Sequence, residues 1–245
     1  MIEVSRQGRV ALITLQRPEK HNALNIELCH RVREAVEGAP SAGARAVVIT
    51  GSGRSFCSGA DLGEVYTADF REALYAMLCA VTNARVPVVA AVNGPAIGAG
   101  TQLAIAADLR VVAERARFAV PTARLGLAVD PWTIRRLALL AGNGVARRLL
   151  LACAEIGSDA ALSGGLADRA GSLDNALVWA QEMSALAPLT VAYSKRVLNE
   201  VFEPALDADT DKELTEAFEG CWASEDFAEG RRARADKRTP VFEGR

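Results

Sequence analysis

The sequence is poor in lysine, histidine and aromatic residues, and each shortage excludes something. Lysine occurs only at Lys20, Lys195, Lys212 and Lys237, and 30 acidic residues face 28 basic ones for a formal net charge of −2. Such a balance gives no global attraction to nucleic acid or to an anionic membrane, so a polyanionic ligand must be met by local charge. The two histidines, His21 and His30, lack the partner spacing of a metal site or a serine triad. With aromatics at 5% the core must be aliphatic. No apolar run is long enough to cross a bilayer, and Met1 to Arg9 lacks the basic-then-apolar pattern of a signal peptide, so the expected location is cytoplasmic. Five cysteines, Cys29, Cys57, Cys79, Cys153 and Cys221, are an odd number without CxxC spacing. They suggest mostly buried thiols and neither a disulfide framework nor a zinc site, and Cys57 has no evident activating base.

What is present is a globular composition, 50% hydrophobic and 24% charged over 245 residues, long for one domain and short for two. Ile2 to Val4 and Val10 to Leu15 read as strands, the second alternating under a β-branched bias. A helical repeat of Leu24, Leu28, Val32 and Val36 follows and closes at Gly38 and Pro40. The order returns with a buried strand at Ala46 to Thr50, a glycine-bearing loop from Gly51 to Gly59 and a helix from about Asp69 to Asn83. It returns again with a strand at Pro87 to Val92, a loop from Gly94 to Gly100, a helix at Thr101 to Ala107 and a strand at Leu109 to Val112. Short buried strands separated by helices predict layered α/β units. From Ile134 onwards helical segments dominate, and the run Arg231, Arg232, Arg234, Lys237 and Arg238 reads as a basic, solvated helix face.

Two loops place glycine beside a helix start after a buried strand: Phe56-Cys57-Ser58-Gly59-Ala60-Asp61-Leu62 and Gly94-Pro95-Ala96-Ile97-Gly98-Ala99-Gly100-Thr101. Unpaired N–H groups of a first helical turn can face an anion or a developing oxyanion. A single such loop is more often a tight turn without a ligand. Neither reads G-x-G-x-x-G with a downstream acid, so a dinucleotide is not expected. No cofactor and no metal is called for.

Several spaced motifs in order carry a resemblance: Arg17-Pro18-Glu19-Lys20-His21-Asn22-Ala23-Leu24, Thr50-Gly51, Phe56 to Leu62, Asn93-Gly94, Gly98 to Leu103, Ala107-Asp108-Leu109-Arg110, Leu125-Gly126 and Arg136-Leu137. Together they resemble the crotonase superfamily, the enoyl-CoA hydratase/isomerase fold, over almost the whole chain. The resemblance implies an α/β spiral of ββα units over 1–190 and a helical oligomerisation region over 191–245, assembling as a homotrimer or a dimer of trimers. It implies an acyl-CoA thioester as ligand or substrate, its carbonyl held by the backbone N–H groups of Ala60 and Ala99. His21, Asn22, Ala23 and Leu24 match the segment beside adenine and pantetheine, Ser58, Asp61, Leu62 and Gly98 belong to the two matched loops, and Lys237 matches a lysine near the nucleotide phosphates.

The departures matter more. Hydratases of this family carry two glutamates that deliver water, and here those positions are Gln102 and, twenty residues on, Thr122. Neither an amide nor a hydroxyl serves as a general base at neutral pH. The chain is similar to actinobacterial hydratase homologues that lack both glutamates, a group tied to long-chain lipid metabolism. The expectation is therefore an acyl-CoA-binding protein with little or no hydratase activity. Two alternatives stay open: an isomerase or related thioester-enolate enzyme using Asp130, where some superfamily members carry a catalytic aspartate, and an oligomeric scaffold subunit. Asp130 reads equally as a cap before Pro131, and Trp132 either narrows the acyl pocket or packs in the core.

Overall fold

The structure, a computed structural model, describes residues 1–61, 63, 65–202 and 208–245, with the side chains of 201 and 202 set aside. Its first unit is an antiparallel hairpin, β1 (Ile2–Gln7) and β2 (Val10–Leu15), followed by helix α1 (Ile26–Gly38). Asn25 caps α1 by accepting from the Leu28 N–H at 3.0 Å, which satisfies one of the orphan donors of the first turn. The second unit is β3 (Ala46–Gly51) and α2 (Ala68–Thr82), capped by Thr67. A third follows as β4 (Val88–Val92), β5 (Pro95–Ile97) and α3 (Ala99–Ala106), and a fourth as β6 (Leu109–Val112), β7 (Arg117–Ala119) and α4 (Pro131–Leu150).

The remaining elements are β8 (Ile156–Gly157), α5 (Ser158–Ser163), β9 (Arg169–Ala170), α6 (Leu173–Ser184), α7 (Pro188–Phe202), α8 (Ala208–Ala223) and α9 (Glu225–Ala235). In the large sheet the strand order is β1-β2-β3-β4-β6-β9, parallel from β2 onwards. The small sheet has the order β5-β7-β8. The third and fourth units thus send their first strand to the large sheet and their second to the small one.

Side-chain alternation divides the core between the faces of the large sheet. In β3, Val47 and Ile49 join the main core with Leu28, Phe56, Phe70, Met77 and Leu103, while Ala46 and Val48 pack with Ala176, Leu177 and Ala180 of α6. Strands covered on both faces read as continuous apolar runs, which is why Ala46 to Thr50 shows no alternation in the sequence.

The expected spiral of α/β units is observed. Four strands are additional to those read from the sequence: β5, β7, β8 and β9, each of two or three residues. Runs that short display no period. Within the helical region read from Ile134 onwards, α4 is kinked at Gly142, which takes φ 74°. The boundary expected at 190 falls inside α7. The basic run begins on α9, where its arginines are exposed, but Arg231 lies over the Tyr66 ring at 4.5 Å and Arg238 pairs with Glu229.

Candidate functional site

The two glycine loops are sewn together by backbone. Cys57 and Ala96 form a parallel bridge in which the Cys57 N–H donates to Pro95 O and the Ile97 N–H donates to Cys57 O. Gly100, in the first turn of α3, lies so close that a Cβ there would sit 2.1 Å from the Cys57 carbonyl oxygen. Only glycine allows that approach.

A second parallel bridge pairs Leu24 with Ala60: the Leu24 N–H donates to Gly59 O at 2.8 Å and the Asp61 N–H to Leu24 O at 2.6 Å. Both bonds pass through the neighbours of Ala60, so its own N–H points away from Leu24, as alternation along a strand requires. Gly59 permits this turn with φ 106°, and a Cβ built on it would lie 3.8 Å from the Ala99 nitrogen. Ala99 opens α3, where an N–H has no helical acceptor. Among the described residues neither the Ala60 nor the Ala99 N–H has a hydrogen-bond acceptor.

Both alanines line a cavity of about 570 Å³. His21, Ala23, Ser58, Asp61, Gly98, Gln102 and Thr122 also line it, as expected from the sequence. Five predicted residues do not. Asn22 is fully buried and acts as a bracket: it accepts from the Arg17 N–H and donates to Ser52 O and Ser55 O, each at 2.9 Å. Leu24 is fully buried in the core and serves the site through its backbone alone. Trp132 is partly buried against the main core, with the Arg136 guanidinium 5.5 Å from its ring. Lys237 is exposed beyond the end of α9, and the cations on the wall are Lys20, Arg71 and Arg234. Leu62 lies outside the described residues.

Asp130 is the fifth. It caps α4, accepting from the Thr133 N–H at 3.0 Å, the Thr133 hydroxyl at 2.6 Å and Gln102 Nε2 at 3.1 Å. Gln102 Nε2 also donates to Thr133 Oγ1 at 2.7 Å. A carboxylate only accepts, so the amide nitrogen must face it and the amide oxygen points the other way. Gln102 Oε1 has no protein partner among the described residues and is not sealed in the core, which leaves it facing the cavity.

Asp61 is clamped by Arg17, whose Nη2 donates at 2.8 Å. That bond, with a further one from the Gly63 N–H, holds the Asp61 carboxyl below the usual carboxylate range. Burial pushes the Cys57 thiol up to about 12, so it is not a nucleophile at neutral pH.

The rest of the wall was invisible in the sequence. Phe70, Leu74 and Tyr75 come from α2, Leu125, Leu127 and Val129 from the segment before α4, and Trp222 from α8. Trp222 Nε1 donates to Ala128 O at 3.2 Å, and Arg71 lies over the Trp222 ring at 4.7 Å. A helix start at Ser224-Glu225-Asp226 was a legible signal for α9, but its packing against the turn at Leu125 and Gly126, where Gly230 closely approaches the Leu125 carbonyl, was not.

The sequence profile of the enoyl-CoA hydratase/isomerase family matches residues 5–245. The chain belongs to this family. It is 46% identical to the probable enoyl-CoA hydratase echA6 of Mycobacterium tuberculosis, over the full length of both chains. Among solved structures of crotonase-fold proteins, it matches carnitinyl-CoA hydratase from Mycobacterium avium with a TM-score of 0.86 at 35% identity, covering 100% of this chain and 98% of that one. Methylmalonyl-CoA decarboxylase in complex with 2-nitronate-propionyl-CoA matches with a TM-score of 0.92 at 23% identity, covering 100% and 98%, a likeness of fold.

Proposed function

We propose that the protein binds acyl-CoA thioesters, with the thioester carbonyl between the N–H groups of Ala60 and Ala99, and catalyses little or no hydration. The observation that carries the reading is the pair of acceptorless N–H groups on one cavity wall, beside a Gln102 amide and a Thr122 hydroxyl where a hydratase needs carboxylates. The apolar wall of Phe70, Leu74, Leu125, Leu127, Val129 and Trp222 suits an acyl chain. Lys20, Arg234 and the groove formed with Arg231 and Arg232 offer local positive charge for the nucleotide phosphates, in place of Lys237.

Asp130 is spoken for as a cap and as an acceptor for Gln102 and Thr133, which argues against a free base. A pure scaffold role leaves the cavity unexplained. Exposed Leu139, Leu189, Tyr193 and Leu198 offer apolar surface for contact between copies of the chain, and the homotrimer or dimer of trimers is carried over from the family resemblance. Five free cysteines fit a reducing, cytoplasmic setting.

Thermal melts with long-chain acyl-CoA and with free CoA test the reading. A shift of several degrees with the acyl thioester and a much smaller one with free CoA is expected. Equal shifts, or none, contradict it.

A further inference from the structure

Helix α8 supplies Trp222 to the cavity wall, yet none of its residues is buried. Helices α1, α2 and α6 each bury a stripe of aliphatic side chains, and the shorter α9 buries Gly230 and Ala233. A Cβ on Gly230 would sit 2.2 Å from the Leu125 carbonyl oxygen, so α9 is fixed closely against the turn before α4. The large apolar side chains of α8 have no such seat: Leu214 is exposed, and Phe218 and Trp222 are half-buried. Phe218 and Trp222 stand four residues apart and so share one face of the helix.

The contacts that hold this face to the cavity wall gather on one cation. The Arg71 guanidinium, carried by α2, lies 4.7 Å from the Trp222 ring centre and 5.8 Å from that of Phe218. Its Nη1 also donates to Glu219 Oε2 at 3.4 Å, and Trp222 Nε1 adds a bond to Ala128 O at 3.2 Å. The Glu219 side chain is more than half exposed, and ion pairs and cation–π contacts at such sites are individually weak. Arg71 and Trp222 both line the cavity, so parting them opens its side.

We infer that Arg71 is a latch that holds α8 as a removable side wall, and that acyl thioesters enter and leave when α8 lifts from Arg71 while α9 stays in place. The inference rests on the acyl-thioester reading and concerns how ligand exchange at that site is controlled. A ligand with a bulky nucleotide end must thread a closed cavity tail first, along the whole tail. A wall that lifts lets the tail lie in sideways and then encloses it. Lifting sacrifices little, because α8 buries nothing, and lids are drawn from such segments of low local stability.

Stopped-flow binding of a long-chain acyl-CoA to the full-length protein tests the latch. Arg71→Gln removes the cation, and Glu219→Gln removes the ion pair from a residue that does not line the cavity. In Arg71→Gln the association and dissociation rate constants should both rise on the order of tenfold, as loss of the cation–π contacts and the ion pair allows. In Glu219→Gln both should rise by a smaller factor. A mere wall contact would change dissociation alone, and loss of a cation would by itself slow an anionic ligand, so faster association is specific to the latch. Hydrogen exchange gives the reading without ligand: α8 amides should exchange faster in Arg71→Gln than in the wild type, with α9 unchanged. An association rate constant that does not rise in Arg71→Gln, or α8 exchange that does not respond, overturns this inference and leaves the acyl-thioester reading standing. If acyl-CoA binds no better than free CoA, the acyl-thioester reading falls first and ligand entry past α8 with it, whatever the exchange shows.

Discussion

The side-chain amide of Gln102 donates to the carboxylate of Asp130 at 3.1 Å. This bond links the position that sequence reasoning matched to a family glutamate with the carboxylate it offered as a possible base. It makes them parts of one device: Asp130 caps α4, and by accepting from the amide nitrogen it sets which end of Gln102 is left towards the cavity.

Restoring an acid at this position should therefore disturb the fold. Gln102→Glu places a second carboxylate against Asp130, and one of the two must take up a proton or repel. The folded pKa of the pair is raised above the unfolded value, so the deficit grows as pH rises above about 4 and shrinks below it. A loss of about 1–3 kcal/mol at neutral pH, smaller near pH 4 relative to wild type, is expected from melts across that range.

Asp130→Asn keeps the cap geometry but weakens it. Melting should reveal a loss of up to about 1 kcal/mol, with acyl-CoA binding retained, because the residue does not line the cavity. A variant of wild-type stability that loses a measurable isomerase activity would instead identify Asp130 as a base.

Acid should open the clamp between Arg17 and Asp61. Since the folded pKa of Asp61 is depressed, its contribution is fully present above the unfolded pKa of about 4 and is lost as pH falls through the lower folded value. Arg17→Met should remove on the order of 1 kcal/mol at neutral pH and flatten the acid limb of the stability curve, as chemical denaturation at several pH values can record.

Gly100→Val pushes α3 away from the Cys57 carbonyl, a contact with no room for any side chain. A destabilisation of about 1–3 kcal/mol is expected, together with a loss of acyl-CoA affinity exceeding any loss for free CoA, because the two N–H groups are carried by the loops being separated. Titration with both ligands separates the two effects.

Much of the site was legible because its core is local. Gly59, Gly98 and Gly100 announced two tight strand-to-helix turns, and the motif from Arg17 to Leu24 added the segment against which the first loop pairs. The roles inside that motif were not legible. Asn22 and Leu24 brace the loops from beneath, since a spacing pattern cannot distinguish a side chain that faces a ligand from one that ties down its neighbours. Tyr75, Trp222 and Arg234 were missed because they reach the cavity from α2, α8 and α9, and only tertiary packing brings those elements together. In contrast, the cap at Asp130 was written in the Asp130-Pro131 pair, with proline at the first helical position.

The most direct test is mass spectrometry of a 2-enoyl-CoA incubated with the protein in 18O-labelled water, at concentrations that saturate binding. The account predicts that the enoyl thioester is bound and recovered unhydrated, with no labelled 3-hydroxyacyl product above the buffer control. Labelled product forming at about 10 per second, the ordinary range of enzyme turnover, would contradict it.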